Sequence, residues 1–303
     1  MASNLFVMIQ SIKPEHWSEY KLLDSGNYMK LEKFGEFVLS RPEPQAVWAP
    51  SMTPEQWKQQ AHASFARDKT NPEKGNWSLK PSMKQQWILP YKHPKYSLNF
   101  RLGLSSFKHV GLFPEQAVNW DYIYTAIKSM STPHPKMLNL FAYTGGASIA
   151  GAAAGADVTH VDSVKQVISW GRENMEASNL KDVRWVVEDA TKFVQREVKR
   201  GKLYQGIILD PPAYGRGPDG EKWVIETDLY PLLKDCAKLL DPEEHFFILN
   251  LYSIGFSSLI VETLIKDLFK EVKGFEYGEL FVEDSFGKKL PLGVLGRFSK
   301  FKK

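Results

Sequence analysis

Four short motifs in the second half of this chain carry residue types that packing alone would not choose. They are Ala142-Tyr143-Thr144-Gly145-Gly146, the acid Asp162, Glu188-Asp189-Ala190 and Asp210-Pro211-Pro212-Ala213-Tyr214. Each follows an apolar run of strand character. Paired glycines opening a helix let a backbone approach a ligand closely. An acid ending the next strand can accept both hydroxyls of a ribose. Two prolines directly behind Asp210 are poor scaffolding at the exit of a buried strand. Asp210, Pro211, Pro212 and Tyr214 are therefore candidates to meet a substrate.

Plainer readings exist for each motif. Gly145-Gly146 makes an ordinary tight turn equally well, and Asp189 is placed to cap a helix starting at 191. Ser163 with Gln166 reads as a capping box, which leaves Asp162 for another task. The spacing G-x-G-x-x-G is not met, because the next glycine after Gly146 is Gly151, so a nicotinamide or flavin site is disfavoured.

The elements that must position these residues alternate from 137 onward. Strands are expected at 137–143, 158–161, 183–187, 204–209 and 245–251, and helices at 147–154, 164–177, 191–200, 227–240 and 257–270. Two further strands, 277–282 and 290–298, follow. Such alternation means a doubly wound α/β domain with a mostly parallel, seven-stranded sheet. The earlier part reads as a small strand-rich domain. Phe34–Leu39 is a short β run stopped by Arg41-Pro42-Glu43-Pro44, and 54–66 reads as a helix capped by Thr53 with Pro54 in its first turn. Ser97–Leu104 alternates strictly, and 118–130 has helical spacing. The expected division is 1–110 for an accessory, substrate-placing domain and 111–303 for the catalytic one.

Composition narrows the function classes. The chain has 303 residues, 43% hydrophobic and 24% charged, which is ordinary for a globular protein. No apolar run approaches the roughly 20 residues of a membrane helix, and the N-terminal stretch shows neither a basic flank nor a cleavage site. The single cysteine, Cys236, rules out an internal disulfide and a cysteine zinc site. A cytoplasmic enzyme with no metal and no membrane partner is the expectation. The net charge of +4 is uneven: residues 1–110 hold 15 Lys/Arg against 9 Asp/Glu. Within 69–108, Lys69, Lys74, Lys80, Lys84, Lys92, Lys95, Arg101 and Lys108 face only Glu73. Trp77, Trp87, Tyr91, Tyr96, Phe100 and Phe107 are interleaved with them. Cations with flat rings suit single-stranded nucleic acid, though a basic edge with inward-packed rings has the same pattern.

Together the motifs resemble the class I S-adenosylmethionine-dependent methyltransferases over roughly 107–255. Asn139-Leu140-Phe141-Ala142-Tyr143-Thr144-Gly145-Gly146 is the most specific part. With Val161-Asp162-Ser163, Glu188-Asp189-Ala190 and Asp210–Tyr214, it looks like the branch that methylates bases of bacterial large-subunit (23S) ribosomal RNA. The stretch 107–120 looks like that branch's cofactor-covering segment. The resemblance implies S-adenosylmethionine as cofactor and RNA as partner. It implies that Phe141, Tyr143, Thr144, Gly145 and Gly146 line the methionine and ribose part, and that Asp162 with Ser163 takes the ribose hydroxyls. Asp189 and Ala190 would meet the adenine, Gln116 and Asp210 would touch the cofactor, and Asp210 and Tyr214 would face the substrate.

Two departures bear on the chemistry. The cytosine-methylating relatives carry a cysteine just beyond the fifth strand, where this chain has Leu249-Asn250-Leu251-Tyr252-Ser253. Cys236 shares a helical stripe with Leu229, Leu232, Leu233 and Leu240 and reads as a buried filler. Transfer to a nitrogen or an oxygen without a cysteine nucleophile is therefore expected, with a base nitrogen favoured. Ala213 also separates the prolines from Tyr214, unlike the family's amine methylators. A small-molecule or protein acceptor, or a silent cofactor-binding module, is the competing reading.

Overall fold

The computed structural model describes residues 8–15, 17–68, 74–252, 255–269, 272 and 274–302. Lys69 and Glu73 of the basic region, Ser253, Lys270 at the expected end of the last helix, and the first seven residues lie outside them.

The chain runs β1 (Gln10–Ile12), β2 (Tyr20–Gly26), β3 (Met29–Phe34), β4 (Phe37–Pro42), α1 (Pro54–Gln60), β5 (Ala63–Arg67), β6 (Gly75–Leu79), β7 (Gln86–His93) and β8 (Tyr96–Gly103). After a 3-10 turn at Pro114–Gln116 come α2 (Ala117–Ser129), β9 (Lys136–Leu140), α3 (Gly146–Ala154), β10 (Asp157–Asp162), α4 (Lys165–Ala177), β11 (Arg184–Val187), α5 (Ala190–Lys199) and β12 (Gly206–Leu209). A hairpin of β13 (Tyr214–Arg216) and β14 (Lys222–Val224) precedes α6 (Ile225–Leu239), β15 (His245–Tyr252), α7 (Ser258–Leu268), β16 (Glu276–Glu283) and β17 (Lys289–Lys300).

Two compact units result. One comprises Met1–Ile12, Val118–Leu280 and Gly293–Lys303, the other Lys13–Ala117 and Phe281–Leu292. The expected division at 110/111 differs from this, because β1 pairs with β16 in the larger unit and Phe281–Leu292 returns to the smaller one. Pairings between segments this far apart leave no local mark on the sequence.

The larger unit is a mixed α/β fold around one mostly parallel sheet, ordered β1-β16-β17-β15-β12-β9-β10-β11. It has eight strands rather than the expected seven, the addition being β1, parallel to β16. The central strands β12 (GIIL) and β15 (HFFILNLY) are buried almost throughout, as parallel strands covered on both faces must be. The chain winds outward from β9 through β10 to β11, then returns to place β12 on the other side of β9. Right-handed crossovers then put α3 and α4 on one face and the later helices on the other. The two directions of winding part between β9 and β12, which is where such sheets bind ligands.

The smaller unit holds a five-stranded sheet, β2-β3-β4-β5-β6, and the hairpin β7-β8. Expected elements shift here. Phe34–Leu39 is not one strand: Phe34 ends β3, Gly35 turns with a φ of 64°, and Phe37 starts β4. The helix expected at 54–66 stops at Gln60, and Ala63–Arg67 is a strand. Its start is as read, with Thr53 and Gln56 in a reciprocal capping box. Two buried carboxylates organise the unit. Glu32 takes both Arg41 and the Tyr20 hydroxyl, and Asp24 accepts from Lys288, Trp57 and the Met52 amide.

The rings of the basic region mostly serve this core. Trp87, Tyr91 and Phe100 are buried, and Trp77 and Tyr96 are partly covered. Only Phe107 of the six is exposed. Trp87, Tyr91 and Phe100 are therefore packing residues of β7 and β8 rather than a ready stacking platform, because β-strand alternation sends every second side chain inward. Among the described residues no helix is long and apolar enough to cross a membrane.

Candidate functional site

The glycine motif folds as a loop from β9 into α3. Phe141, Tyr143 and Gly145 take left-handed φ values of 53°, 49° and 82°. Two of these are not glycine, and each such residue costs about 1–2 kcal/mol. The surroundings hold the loop in place. The Tyr143 amide donates to Asp162 Oδ2 at 2.9 Å, and Asn174 Nδ2 donates to the Thr144 carbonyl at 2.9 Å. Beneath the loop, Asn139 Nδ2 donates to Ser148 Oγ, which lies 2.9 Å from His160 Nδ1. Burial pushes His160 down to about 3, so the imidazole is neutral. At Gly146 a Cβ would lie 2.9 Å from the Trp120 ring, so only glycine lets α3 begin at this depth.

Asp162 ends β10, as read. The capping box expected of Ser163 and Gln166 does not form: α4 starts at Lys165 with Val164 as its cap residue and no side-chain cap bond. Asp162 itself does the local work, with Oδ1 accepting from the Val164 amide at 2.9 Å. Each oxygen thus takes at least one backbone donor. Burial raises its pKa, against the pull of the Val164, Tyr143 and Ser163 amides. Asp189 caps α5 by accepting from the Lys192 amide at 2.9 Å, the plainer of its two readings. That bond occupies one oxygen only. Glu188 beside it is gripped by both terminal nitrogens of Arg196.

Asp210 stands at the end of β12, its amide donating to the Leu140 carbonyl at 3.4 Å. No donor among the described residues reaches its carboxylate, and burial alone pushes it up to about 7. Pro211 is buried and Pro212 exposed. The Pro212 carbonyl accepts from Trp223 Nε1 at 2.6 Å, which leaves the Pro211 carbonyl as the acceptor beside Asp210. Tyr214 is 58% exposed.

A cleft of about 330 Å³ gathers part of this set. Phe141, Asp162, Ser163, Asp189, Ala190 and Pro212 line it, together with Glu188. Tyr143, Thr144, Gly145, Gly146, Asp210, Pro211 and Tyr214 are not on its wall, although Tyr143 is tied to it through Asp162. Gln116 lies in the 3-10 turn of the smaller unit. The opposite wall was not read from the sequence: Gly215, Arg216, Gly217 and Trp223 of the hairpin complete it, and the Trp223 ring packs on Phe141 with centroids 4.8 Å apart. The signal was available in Gly215, Gly217 and Pro218-Asp219-Gly220, a run of turn residues between two short β segments.

Cys236 is fully buried in α6 among Leu229, Leu232 and Leu233, and burial pushes its thiol far up, so no thiolate is available. Cys236→Ala is expected to leave kcat within about twofold while lowering the thermal midpoint by a few degrees, the cost of a small cavity. Paired activity and melting measurements check this, and a large loss of kcat would reinstate a nucleophilic role.

A family model described as S-adenosylmethionine-dependent methyltransferase matches residues 77–273. The "Ribosomal RNA large subunit methyltransferase K/L" of Pseudoalteromonas translucida is 29% identical over 196 residues, 63% of this chain and 26% of that protein. The protein of the same name from Shewanella frigidimarina is 28% identical over 158 residues, 52% of this chain and 22% of its own. The chain thus spans about a quarter of the length of the curated relatives it matches. The crystal structure of a SAM-dependent methyltransferase from Agrobacterium tumefaciens is 35% identical, covers 95% of this chain and 93% of its own, and superposes with a TM-score of 0.87.

Proposed function

Since this chain belongs to the S-adenosylmethionine-dependent methyltransferases, we propose that it methylates a base nitrogen of ribosomal RNA without a cysteine nucleophile. One observation carries the reading: Asp210 closes β12 with a carboxylate that no described donor reaches and that burial holds at about 7. A carboxylate poised there suits the removal of a proton from an amine near neutral pH. The names of the curated relatives support ribosomal RNA as the substrate class.

The residues present fit the cofactor. Asp162, Ser163, Asp189 and Ala190 line one cleft, and an acid at the end of the second strand of such a sheet is placed to accept ribose hydroxyls. When bound, the cofactor supplies a methyl group already activated by its sulfonium. The loop 141–146 would line its methionine and ribose portions, Asp162 and Ser163 would hold the ribose hydroxyls, and Asp189 with Ala190 would meet the adenine. Gln116 keeps the role that the resemblance implies. In the transfer itself, Asp210 and the Pro211 carbonyl accept hydrogens from the acceptor amine and aim its lone pair at the methyl carbon. The new nitrogen–carbon bond would form as the sulfur–methyl bond breaks and its electron pair stays on sulfur as a neutral thioether, while Asp210 takes the proton that the nitrogen loses. Tyr214, exposed beside this turn, would stack on a base taken out of its helix.

The test is methyl transfer from labelled S-adenosylmethionine to RNA and, separately, to protein from cells lacking this gene. Label is expected in large ribosomal RNA, on an N-methylated nucleoside after digestion. Label in protein, or in neither fraction while the cofactor binds, would overturn the reading in favour of another acceptor or a silent module.

A further inference from the structure

The hairpin of β13 and β14 has two unlike faces. Gly215 opposes Trp223 on one of them, and Trp223 is buried there against Phe141 with its indole on the Pro212 carbonyl. The other face carries Tyr214 opposite Val224, and Arg216 directly opposite Lys222. Both cations are exposed. Like charges facing each other across a two-stranded ribbon repel, and here nothing offsets the repulsion: no described carboxylate pairs with Arg216 or Lys222. Two of the acids nearby are already engaged. Glu221 is paired with Lys192, and Asp228 accepts from the Val224 amide. An unneutralised cation pair on a short, anchored hairpin is a site for an anion.

Its position indicates which anion. The hairpin starts two residues after Asp210-Pro211-Pro212, is fastened to that turn through Trp223, and forms one wall of the cleft. Tyr214 shares the face of the two cations, so a base stacked on its ring would have its flanking phosphates beside Arg216 and Lys222. We infer that the outer face of this hairpin is a phosphate-docking element, in which Arg216 and Lys222 grip the RNA backbone on either side of the target nucleotide. The inference rests on the RNA reading above and adds to it the surface that positions the substrate. Such contacts fix register and contribute affinity without reading sequence.

The test is the double variant Arg216→Ser/Lys222→Ser, with binding of a fluorescein-labelled single-stranded RNA followed by anisotropy across a salt series. S-adenosylmethionine affinity is measured in parallel by calorimetry. Two lost phosphate contacts should weaken RNA binding about tenfold at 0.15 M salt and flatten the log–log salt slope by about 1.4. The charge-conserving variant Arg216→Lys/Lys222→Arg should bind like the parent, which separates loss of charge from misfolding. An unchanged RNA affinity and slope in the serine variant would overturn the inference and leave the RNA reading intact. Loss of cofactor affinity with RNA binding retained would overturn it in favour of a cofactor-wall role for Arg216. A parent protein that binds the RNA no better than serum albumin does would sink both readings.

Discussion

Asp210→Asn should cut kcat by about 10²–10⁴-fold, the range for loss of a positioned acid–base group, while S-adenosylmethionine binds within a few-fold of the parent. The same substitution should also make the cofactor-free protein more stable above neutral pH. A carboxyl whose folded pKa is about 7, against about 4 for the unfolded chain, disfavours the fold wherever the unfolded chain would be ionised. That penalty is absent below about pH 4, grows as pH rises towards 7 and then levels off. Asparagine removes it, so the gain is on the order of 4 kcal/mol at pH 8 and fades towards zero below pH 4. Denaturant unfolding of both proteins at the two pH values, with single-turnover transfer, checks both halves. A variant that loses activity but gains nothing at pH 8 would place the proton elsewhere, and one that keeps full activity would remove Asp210 from the chemistry.

The opposed effects on rate and stability follow from what the residue lacks. Glu32, fully buried in the smaller unit, is met by Arg41 and Tyr20 and is held below the ordinary carboxylate range. Among the described residues no donor meets the half-buried Asp210. The fold spends effort on neutralising one buried acid and leaves the other bare, and that contrast separates a structural carboxylate from one kept for a ligand.

How far the sequence could reach depended on whether a feature was local. The alternation after 137 was legible because each strand and helix buries its own face: β12 and β15 are continuous apolar runs, and Leu98, Phe100 and Leu102 of β8 alternate inward. The strand-end acids were legible because few packing roles suit a carboxylate there. Features set by tertiary partners were not. The capping box expected of Ser163 and Gln166 did not form, since α4 starts at Lys165 with no side-chain cap, and Asp162 instead ties the Tyr143 loop to the Val164 amide. The second wall of the cleft depends on Trp223 meeting Phe141, eighty-two positions earlier in the chain. The rings of the basic region looked like stacking surfaces until Trp87, Tyr91 and Phe100 were placed in a core. Charge and aromatic content read along a strand do not say which face each residue takes.

Asp162 is the residue on which loop geometry and cofactor affinity converge, and Asp162→Ala should raise the S-adenosylmethionine Kd by about 10²-fold or more. Two hydrogen bonds to a charged acceptor, at about 1.5–3 kcal/mol each, set that scale. The Tyr143 amide loses its acceptor at the same time, just where the backbone is left-handed. Asp162→Asn should be almost as damaging, although it is isosteric. Its single carbonyl oxygen can serve either the Tyr143 or the Val164 amide, and its amino group must then face the other N–H, donor against donor. The raised pKa of Asp162 adds a pH signature. The ionised form is the better acceptor for ribose hydroxyls, so parent affinity should weaken as pH falls through that raised value, and the alanine variant should show no such dependence. Calorimetric titration of the parent and both variants across pH 4–8 decides the point. Equal affinities would show that the carboxylate only braces the loop, whereas an asparagine variant that binds like the parent would show that neither backbone donor depends on the second oxygen.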